Sequence, residues 1–300
     1  MKTARCIDNN TEFSPKAIPA LRICCGERFR VHTELCSGPW LTGDDILWKR
    51  ELESPGNFLC CIELEDAGFG DVLAVKLHSI KPDRRCYTGL EGRGSFPYPA
   101  DIMGDAYEDD SYVKILPVNE KGFLWQETDF EARAMLGCIG TARPLDAPDK
   151  DIPHRCGGNL DAKEVRAGST VYLPVLTDKA LLFLGDAHVR QGDGEITGWG
   201  AECRAEVELS VEKFSVAVPT VENAVLAEDD ERLIALGFGQ GFESAYNNSV
   251  RALLDFAALR SGRAKKDIYV RLGLAMDCHV AQSCFPRWPV FSASIEKKYL

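Results

Sequence analysis

Apolar and polar positions alternate along much of this chain. Phe29-Arg30-Val31-His32-Thr33-Glu34-Leu35 puts every second side chain on one face, the period of a half-buried strand. Residues 72–80 predict another strand, entered from Gly70-Asp71, and shorter ones are expected at 112–116 and 123–126. Further strands are predicted at 169–176, 180–186, 196–202, 201–218, 280–283 and 292–295. Turn signals stand at Ser37-Gly38-Pro39 and Ser54-Pro55-Gly56-Asn57. Residues 81–110, with Gly89, Gly92, Gly94, Pro97 and Pro99, predict a long loop. Its acids from Asp105 to Asp110 suit a solvated surface or a calcium loop. The Pro- and Asp-rich stretch 143–153 reads as a linker, and Leu136-Gly137-Cys138-Ile139-Gly140 is small and apolar.

From Glu243 the period changes. Tyr246, Val250, Leu253, Leu254 and Ala257 fall on one helical stripe, and Gly262 suits its C-terminal stop. Residues 265–276 fit a second helix or a strand. Many strands followed by one or two late helices describe a β-rich or α+β chain and not a βαβ repeat. The expected division is a β-rich region over 1–130, a second β-rich region carrying the chemistry over 131–218, and an α+β region over 219–300.

Composition narrows the function classes. Apolar residues at 45% and charged residues at 27% are ordinary for a globular protein. A net charge of −11 argues against nucleic acid or an anionic membrane as partner. No apolar run reaches the roughly 20 residues that span a bilayer, and Asp8-Asn9-Asn10-Thr11-Glu12 stands where a secretory leader needs apolar residues. Twelve cysteines with no Cys-x-x-Cys suggest buried, reduced thiols in a cytoplasmic protein.

The candidate chemistry gathers after the strand at 180–186. Gly185-Asp186-Ala187-His188 is followed by Gln191, Asp193, Glu195 and Glu202 in a glycine-rich setting. A period of two puts Asp186 and His188 on one face, as in a metal site or an acid–base pair. So many acids would repel one another if buried without a cation or hydrogen-bond donors; the alternative is a solvated turn. Mixed nitrogen and oxygen donors suit zinc, iron or manganese better than magnesium. His154 and Cys156 flank Gly157-Gly158-Asn159, and both are good zinc ligands; a loop histidine and a core thiol are the plainer readings. Asn159 and Asp161 suit orienting a substrate amide or a ligand, or capping the chain that follows.

Gly157-Gly158-Asn159-Leu160-Asp161, Gly168 to Val175, Gly185-Asp186-Ala187-His188, Gln191 to Glu195 and Ala201-Glu202 together resemble the core of the acetamidase/formamidase family. Gly70 to Val75 resembles the family's N-terminal Gly-Asp strand, and 275–282 its C-terminal stretch. The resemblance implies a mainly β, β-sandwich-rich fold with a smaller α+β C-terminal part. It also implies hydrolysis of short linear amides to an acid and ammonia at a divalent-metal site. Zinc is the first expectation, with iron, manganese and calcium as alternatives. It makes Asp186, His188 and Glu202 metal ligands and Glu195 the acid–base group. Asn159 then holds the amide or its oxyanion, with Asp193 as a further catalytic and Gln191 as a substrate-binding candidate. The expected partners are a small amide and further copies of the chain. Cys156 stands where the family usually has histidine, and Leu59-Cys60-Cys61 where it tends to have Thr-Gly-Pro. These departures motivate the rival reading, a catalytically silent member that binds a small molecule or serves a structural role.

Overall fold

The computed structural model describes residues 1–6, 10–43, 46–53, 56–90, 102–104, 111–145, 152–214, 221–284 and 288–300. Four strands, β1 (Lys2–Arg5), β2 (Leu21–Ile23), β3 (Arg28–His32) and β4 (Leu59–Leu64), precede the long β5 (Val72–Leu90). A meander of β6 (Tyr112–Asn119), β7 (Gly122–Trp125) and β8 (Thr128–Glu131) leads into β9 (Met135–Thr141) and β10 (Gly157–Asn159). Next come β11 (Thr170–Pro174), β12 (Ala180–His188), β13 (Glu202–Lys213), β14 (Ala224–Glu228) and β15 (Arg232–Phe238). Helices α1 (Phe242–Ser261) and α2 (Lys265–Ala275), then β16 (Met276–Gln282) and β17 (Val290–Glu296), close the chain.

Outside the β6–β8 meander, which joins the end of β5 through β6, the pairings define two sheets. One runs β1, β3, β13, β5, β11, β14, β15, β17, β16, antiparallel except where β1 meets β3. The other runs β2, β4, β12, β9, β10, antiparallel except where β2 meets β4. They are joined at a corner, where Ala187 pairs with Cys203 and His188 with Glu202. On β12, residues 180–185 pair with β4, while the pairing with β9 begins at Leu182 and continues through the corner to His188.

Burial explains the sequence of β12, whose nine residues are all buried. Leu182 and Leu184 enter the core between the sheets with Val75, Leu77, Val207 and Leu209. Leu181 and Phe183 point the other way, into a layer with Phe13, Leu59 and Cys61. A strand covered on both faces reads as an unbroken apolar run. By contrast β13 has one open face, so Val207, Leu209 and Val211 alternate with Glu206, Glu208 and Ser210.

The mainly β reading with a late α+β part matches this architecture; several local expectations do not. Residues 81–90, expected as loop, continue β5, because Lys81, Pro82, Cys86 and Tyr87 find partners on β13. Residues 196–201, expected as strand, form turns before β13 begins at Glu202. The small apolar stretch at 136–140 is β9, buried throughout. The calcium-loop reading of Asp105 to Asp110, and residues 146–151 of the expected linker, lie outside the described residues. The α1 stripe is turned by about one residue: Ala245, Ser249, Ala252, Leu253, Phe256 and Ala257 are buried. Gly237 is the reason, since a Cβ there would sit 2.1 Å from the Ser249 backbone nitrogen. The 237–241 glycine stretch links β15 to α1, and at Gly237 it lets α1 lie close on β15.

One polar junction ties α1 and the segment after β17 to the sheet. Glu228 of β14 accepts hydrogen bonds from the Tyr172 hydroxyl and from Arg260 Nη2, the latter at 3.0 Å. It also pairs with Lys297 Nζ at 2.7 Å. Burial alone would raise the Glu228 carboxyl, but Lys297, Tyr172 and Arg260 outweigh it and hold the group below its ordinary value. A depressed carboxyl contributes stability that is full above its unfolded pKa of about 4.3 and is lost as pH falls through the folded value. Glu228→Gln is therefore expected to cost about 1–3 kcal/mol near neutral pH. Thermal unfolding of both proteins from about pH 6 to about pH 3 should show that gap closing as acid is added.

Candidate active site

The corner between the sheets collects four carboxylates around one imidazole. Asp186 and His188 come from the end of β12 and Glu202 from the start of β13, while Asp161 follows β10 and Glu195 lies in the turn between β12 and β13. Asp161 and Glu202 are each 2% exposed and His188 is 1% exposed; Asp186 and Glu195 are buried too. His188 Nε2 lies 3.2 Å from Asp186 Oδ1 and 3.1 Å from Glu202 Oε1.

Local backbone shape makes this convergence possible. Among the described non-glycine residues, positive φ occurs at Gln126, Asp161 (42°), Asp186 (57°) and Glu195 (43°). Three of the four are carboxylates of this centre. Left-handed backbone costs an ordinary residue about 1–2 kcal/mol, and such strain persists only where the surroundings impose it. The imposing contacts are visible. Asp161 N–H donates to Gly137 O at 3.1 Å. The Glu195 turn is fixed by Gly194 N–H to Val280 O and Ser283 N–H to Gly194 O, both 2.8 Å. Gly137 leaves the space the acids occupy: a Cβ there would sit 2.3 Å from Asp186 Oδ2 and 2.4 Å from Asp161 Oδ1.

Gln191 sets the state of the histidine. Its Nε2 donates to Asp161 O at 2.6 Å and Ala281 O at 3.3 Å. Its Oε1 must then accept from His188 Nδ1, 2.8 Å away. With the proton on Nδ1, Nε2 is the atom that faces the two carboxylate oxygens: protonated it donates to them, and unprotonated it offers its lone pair to a cation held between them. Gln191, expected to bind substrate, is thus engaged with His188 and main-chain carbonyls.

The electrostatics point the same way. Burial, then Glu195 and Asp186, push the Asp161 carboxyl well above its ordinary value. Burial, then the charges of Glu202 and Asp186, raise Glu195 to about 8 against the pull of His188. Glu202 is raised chiefly by burial. Burial would raise Asp186 as well, but His188 outweighs it and holds the group low. Burial opposes the charge on His188, yet Glu202 and Asp186 carry it well above its usual value. One imidazolium does not neutralise four acids, and Asp161 Oδ1 is buried with no hydrogen-bond partner among the described residues. The donors Asp161, Asp186 and His188 lie within 4.8 Å of one another, as do His188, Glu195 and Glu202. A nitrogen and several carboxylate oxygens, one of them orphaned, fit a divalent cation.

Around the centre stand residues of other segments. Asn159 Oδ1 accepts from Asn57 Nδ2 and Cys138 Sγ, both at 3.0 Å, which leaves its amide NH2 group to donate. Cys36 and Cys284 direct their thiols to Glu202 and Glu195, each at 3.3 Å. A cavity of about 520 Å³, bordered by Tyr112, Trp125, Phe130 and Trp199, opens beside Gln191 and Gly200. Gly200 lies against the histidine: a Cβ there would be 2.7 Å from Nδ1.

The structure thus brings together Asp186, His188, Glu195, Glu202, Gln191 and Asn159. It leaves Asp193 at the surface, 2.7 Å from Lys163 Nζ. His154 and Cys156 bond to each other, Nδ1 to Sγ at 2.9 Å, and belong to none of these donor groups. Sequence reasoning undervalued Asp161 and did not single out Asn57, Gly137, Cys36, Cys138 or Cys284. The one available signal was Gly137 beside Cys138 in an otherwise apolar strand.

Residues 146–226 match the model of the Acetamidase/Formamidase family. A 49-residue segment is 51% identical to a formamidase of Methylophilus methylotrophus, spanning 16% of this chain and only 12% of that protein. The fold extends much further. A predicted acetamidase/formamidase of Thermoanaerobacter tengcongensis superposes with a TM-score of 0.84 at 22% identity, covering 99% of this chain and 96% of that one. An acetamidase of Bacillus halodurans gives a TM-score of 0.84 at 23% identity, covering 99% and 98%.

Gly137→Ala tests the packing of the centre. The added methyl should displace Asp161 and Asp186 and cost about 1–3 kcal/mol. Far-ultraviolet circular dichroism should stay that of the wild type while binding of divalent cations, read by calorimetry, weakens sharply.

Proposed function

We propose, for a chain that belongs to the acetamidase/formamidase family, that it is a metal-dependent hydrolase of short linear amides, releasing a carboxylic acid and ammonia. The observation that carries this reading is the sealed centre of four carboxylates and one imidazole, with the unpaired Asp161 oxygen, inside the segment that matches the family. Asp186, His188 and Glu202 would hold the cation, and zinc suits this donor set first. When bound, such a cation acts as a Lewis acid on the amide carbonyl and acidifies water.

The chain's own residues supply the rest. Gln191 fixes His188 in the tautomer that offers Nε2. Asn159, its oxygen occupied by Asn57 and Cys138, turns its NH2 toward the substrate and steadies the carbonyl oxygen as negative charge develops. Glu195, buried and raised toward neutrality, takes a proton from the attacking water and returns it to the departing nitrogen. The low exposure of the centre excludes bulk water and strengthens each of these interactions. Asp193, held by Lys163, has no part in this scheme.

The rival, a silent family member, drew on Cys156 and on Leu59-Cys60-Cys61. None of these supplies a donor to the centre: Leu59 and Cys61 pack with Phe13 and Phe183, and Cys60 lies in the core between the sheets. The departures therefore remove no donor from the centre.

Ammonia release from formamide and acetamide by metal-loaded protein is the direct test. Glu195→Gln should lower kcat by about 10²–10⁴-fold with the fold intact. The Asp186→Ala/His188→Ala double variant should lose both bound metal, by elemental analysis, and activity. Full activity in that double variant, or no hydrolysis of any short amide by loaded wild type, would overturn the reading.

A further inference from the structure

We infer that Cys36 adds a sulfur donor to the cation held by Asp186, His188 and Glu202, so that the centre selects a thiophilic divalent metal over a hard one. This rests on the metal reading given above and goes on to name which metals the site takes.

Cys36 lies beyond the end of β3, far from β12 in sequence, yet its Sγ is 3.3 Å from Glu202 Oε2. The Cys36, Asp186 and Glu202 donors all lie within 4.8 Å of one another. Donors bound to one zinc at about 2.0–2.3 Å stand roughly 3.3–3.8 Å apart in a tetrahedron. His188 Nε2 already lies 3.1 and 3.2 Å from its two carboxylate oxygens. Glu202 thus faces His188 with Oε1 and Cys36 with Oε2, and Asp186 shares a donor group with each of them.

The loop carrying the thiol is anchored. Phe58 N–H donates to Cys36 O at 2.9 Å. The adjacent Ser37 hydroxyl bonds to the Tyr87 hydroxyl and accepts from Trp40 Nε1, each at 2.8 Å. A second observation calls for a cation in the same place. Asp161, 2% exposed and with Oδ1 unpartnered, shares a donor group with Asp186 and His188. A thiol donating a hydrogen bond to Glu202 adds no positive charge to this cluster, whereas a metal ion does. On binding, the S–H bond breaks, the proton leaves to solvent and a sulfur lone pair goes to the metal, with no change of oxidation state.

Two other buried thiols lie near the acids and compete for the same role: Cys138 Sγ is 3.5 Å from Asp186 Oδ2, and Cys284 shares a donor group with Asp161 and Glu195. The full chain, wild type and with Cys36→Ser, Cys138→Ser or Cys284→Ser, is stripped of metal and titrated with Co²⁺ while absorption is recorded. The wild type should show visible ligand-field bands together with a near-ultraviolet thiolate-to-cobalt band. Cys36→Ser should lose the thiolate band and keep ligand-field absorption, and its preference for Zn²⁺ over Ca²⁺ should fall more than about 10-fold. Both other variants should keep the thiolate band. Ligand-field bands without a thiolate band in the wild type, or a thiolate band surviving in Cys36→Ser, would overturn the inference and leave the metal reading standing. No cobalt binding by the wild type would overturn both. The wild-type spectrum decides alone whether sulfur is bound, so a Cys36→Ser chain that does not fold leaves the test intact.

Discussion

Burying like charges is the constraint on which the rest of this molecule depends. Four carboxylates surround His188 at the corner between the two sheets, and water reaches almost none of them. Taking each charge out of water costs several kcal/mol unless something of opposite sign is close. The surrounding structure answers locally: His188 faces Asp186 and Glu202, Gly200 N–H donates to Glu202 at 2.8 Å, and thiols reach Glu202, Asp186 and Glu195. Left-handed backbone at Asp161, Asp186 and Glu195 aims the acids inward against its own preference. The neighbouring strand gives up a side chain at Gly137 so that they fit. Such departures from local rules concentrate where function overrides stability.

What the sequence disclosed of this centre follows from how far apart its parts lie. Asp186 and His188 were legible because one strand carries both, and period two alone puts them on one face. Glu202 was legible as the start of the next strand. Asp161, Asn57, Cys36 and Cys284 come from other segments, and only the pairing of β9 with β10 and β12, the loop after β3 and the tie of Gly194 to 280–283 bring them in. No local periodicity encodes those contacts. His154 and Cys156 looked like ligands because they adjoin Gly157-Gly158-Asn159. The strand turns them away: Asn159 pairs with Cys138 beside the centre, while Gly157 pairs with Gly140 and bridges back to His154.

The fold class was visible in alternation, and its errors have the same origin. β13 was readable because one face meets solvent. β9, short, glycine-containing and buried on both faces, carries no alternation to read. Residues 81–90 looked like loop by composition and became strand through their partners on β13. The stripe of α1 was misplaced by about one residue because close approach to Gly237 favours small Ala245 and Ser249 over larger Tyr246 and Val250. Apolarity chose Leu253, Phe256 and Ala257, and close backbone packing at Gly237 chose which small residues complete the buried face.

β12 belongs to both sheets: on one edge it hands over from β4 to β13 within its last residues, while on the other it keeps β9 through His188. The centre is therefore built at a seam and draws on residues from Cys36 to Cys284. Asp186 and His188 stand side by side on one strand whatever the rest of the chain does, but the walls that seal them come from both sheets. Loosening the seam would therefore open the centre to water and weaken every electrostatic contact in it before either sheet lost its own core.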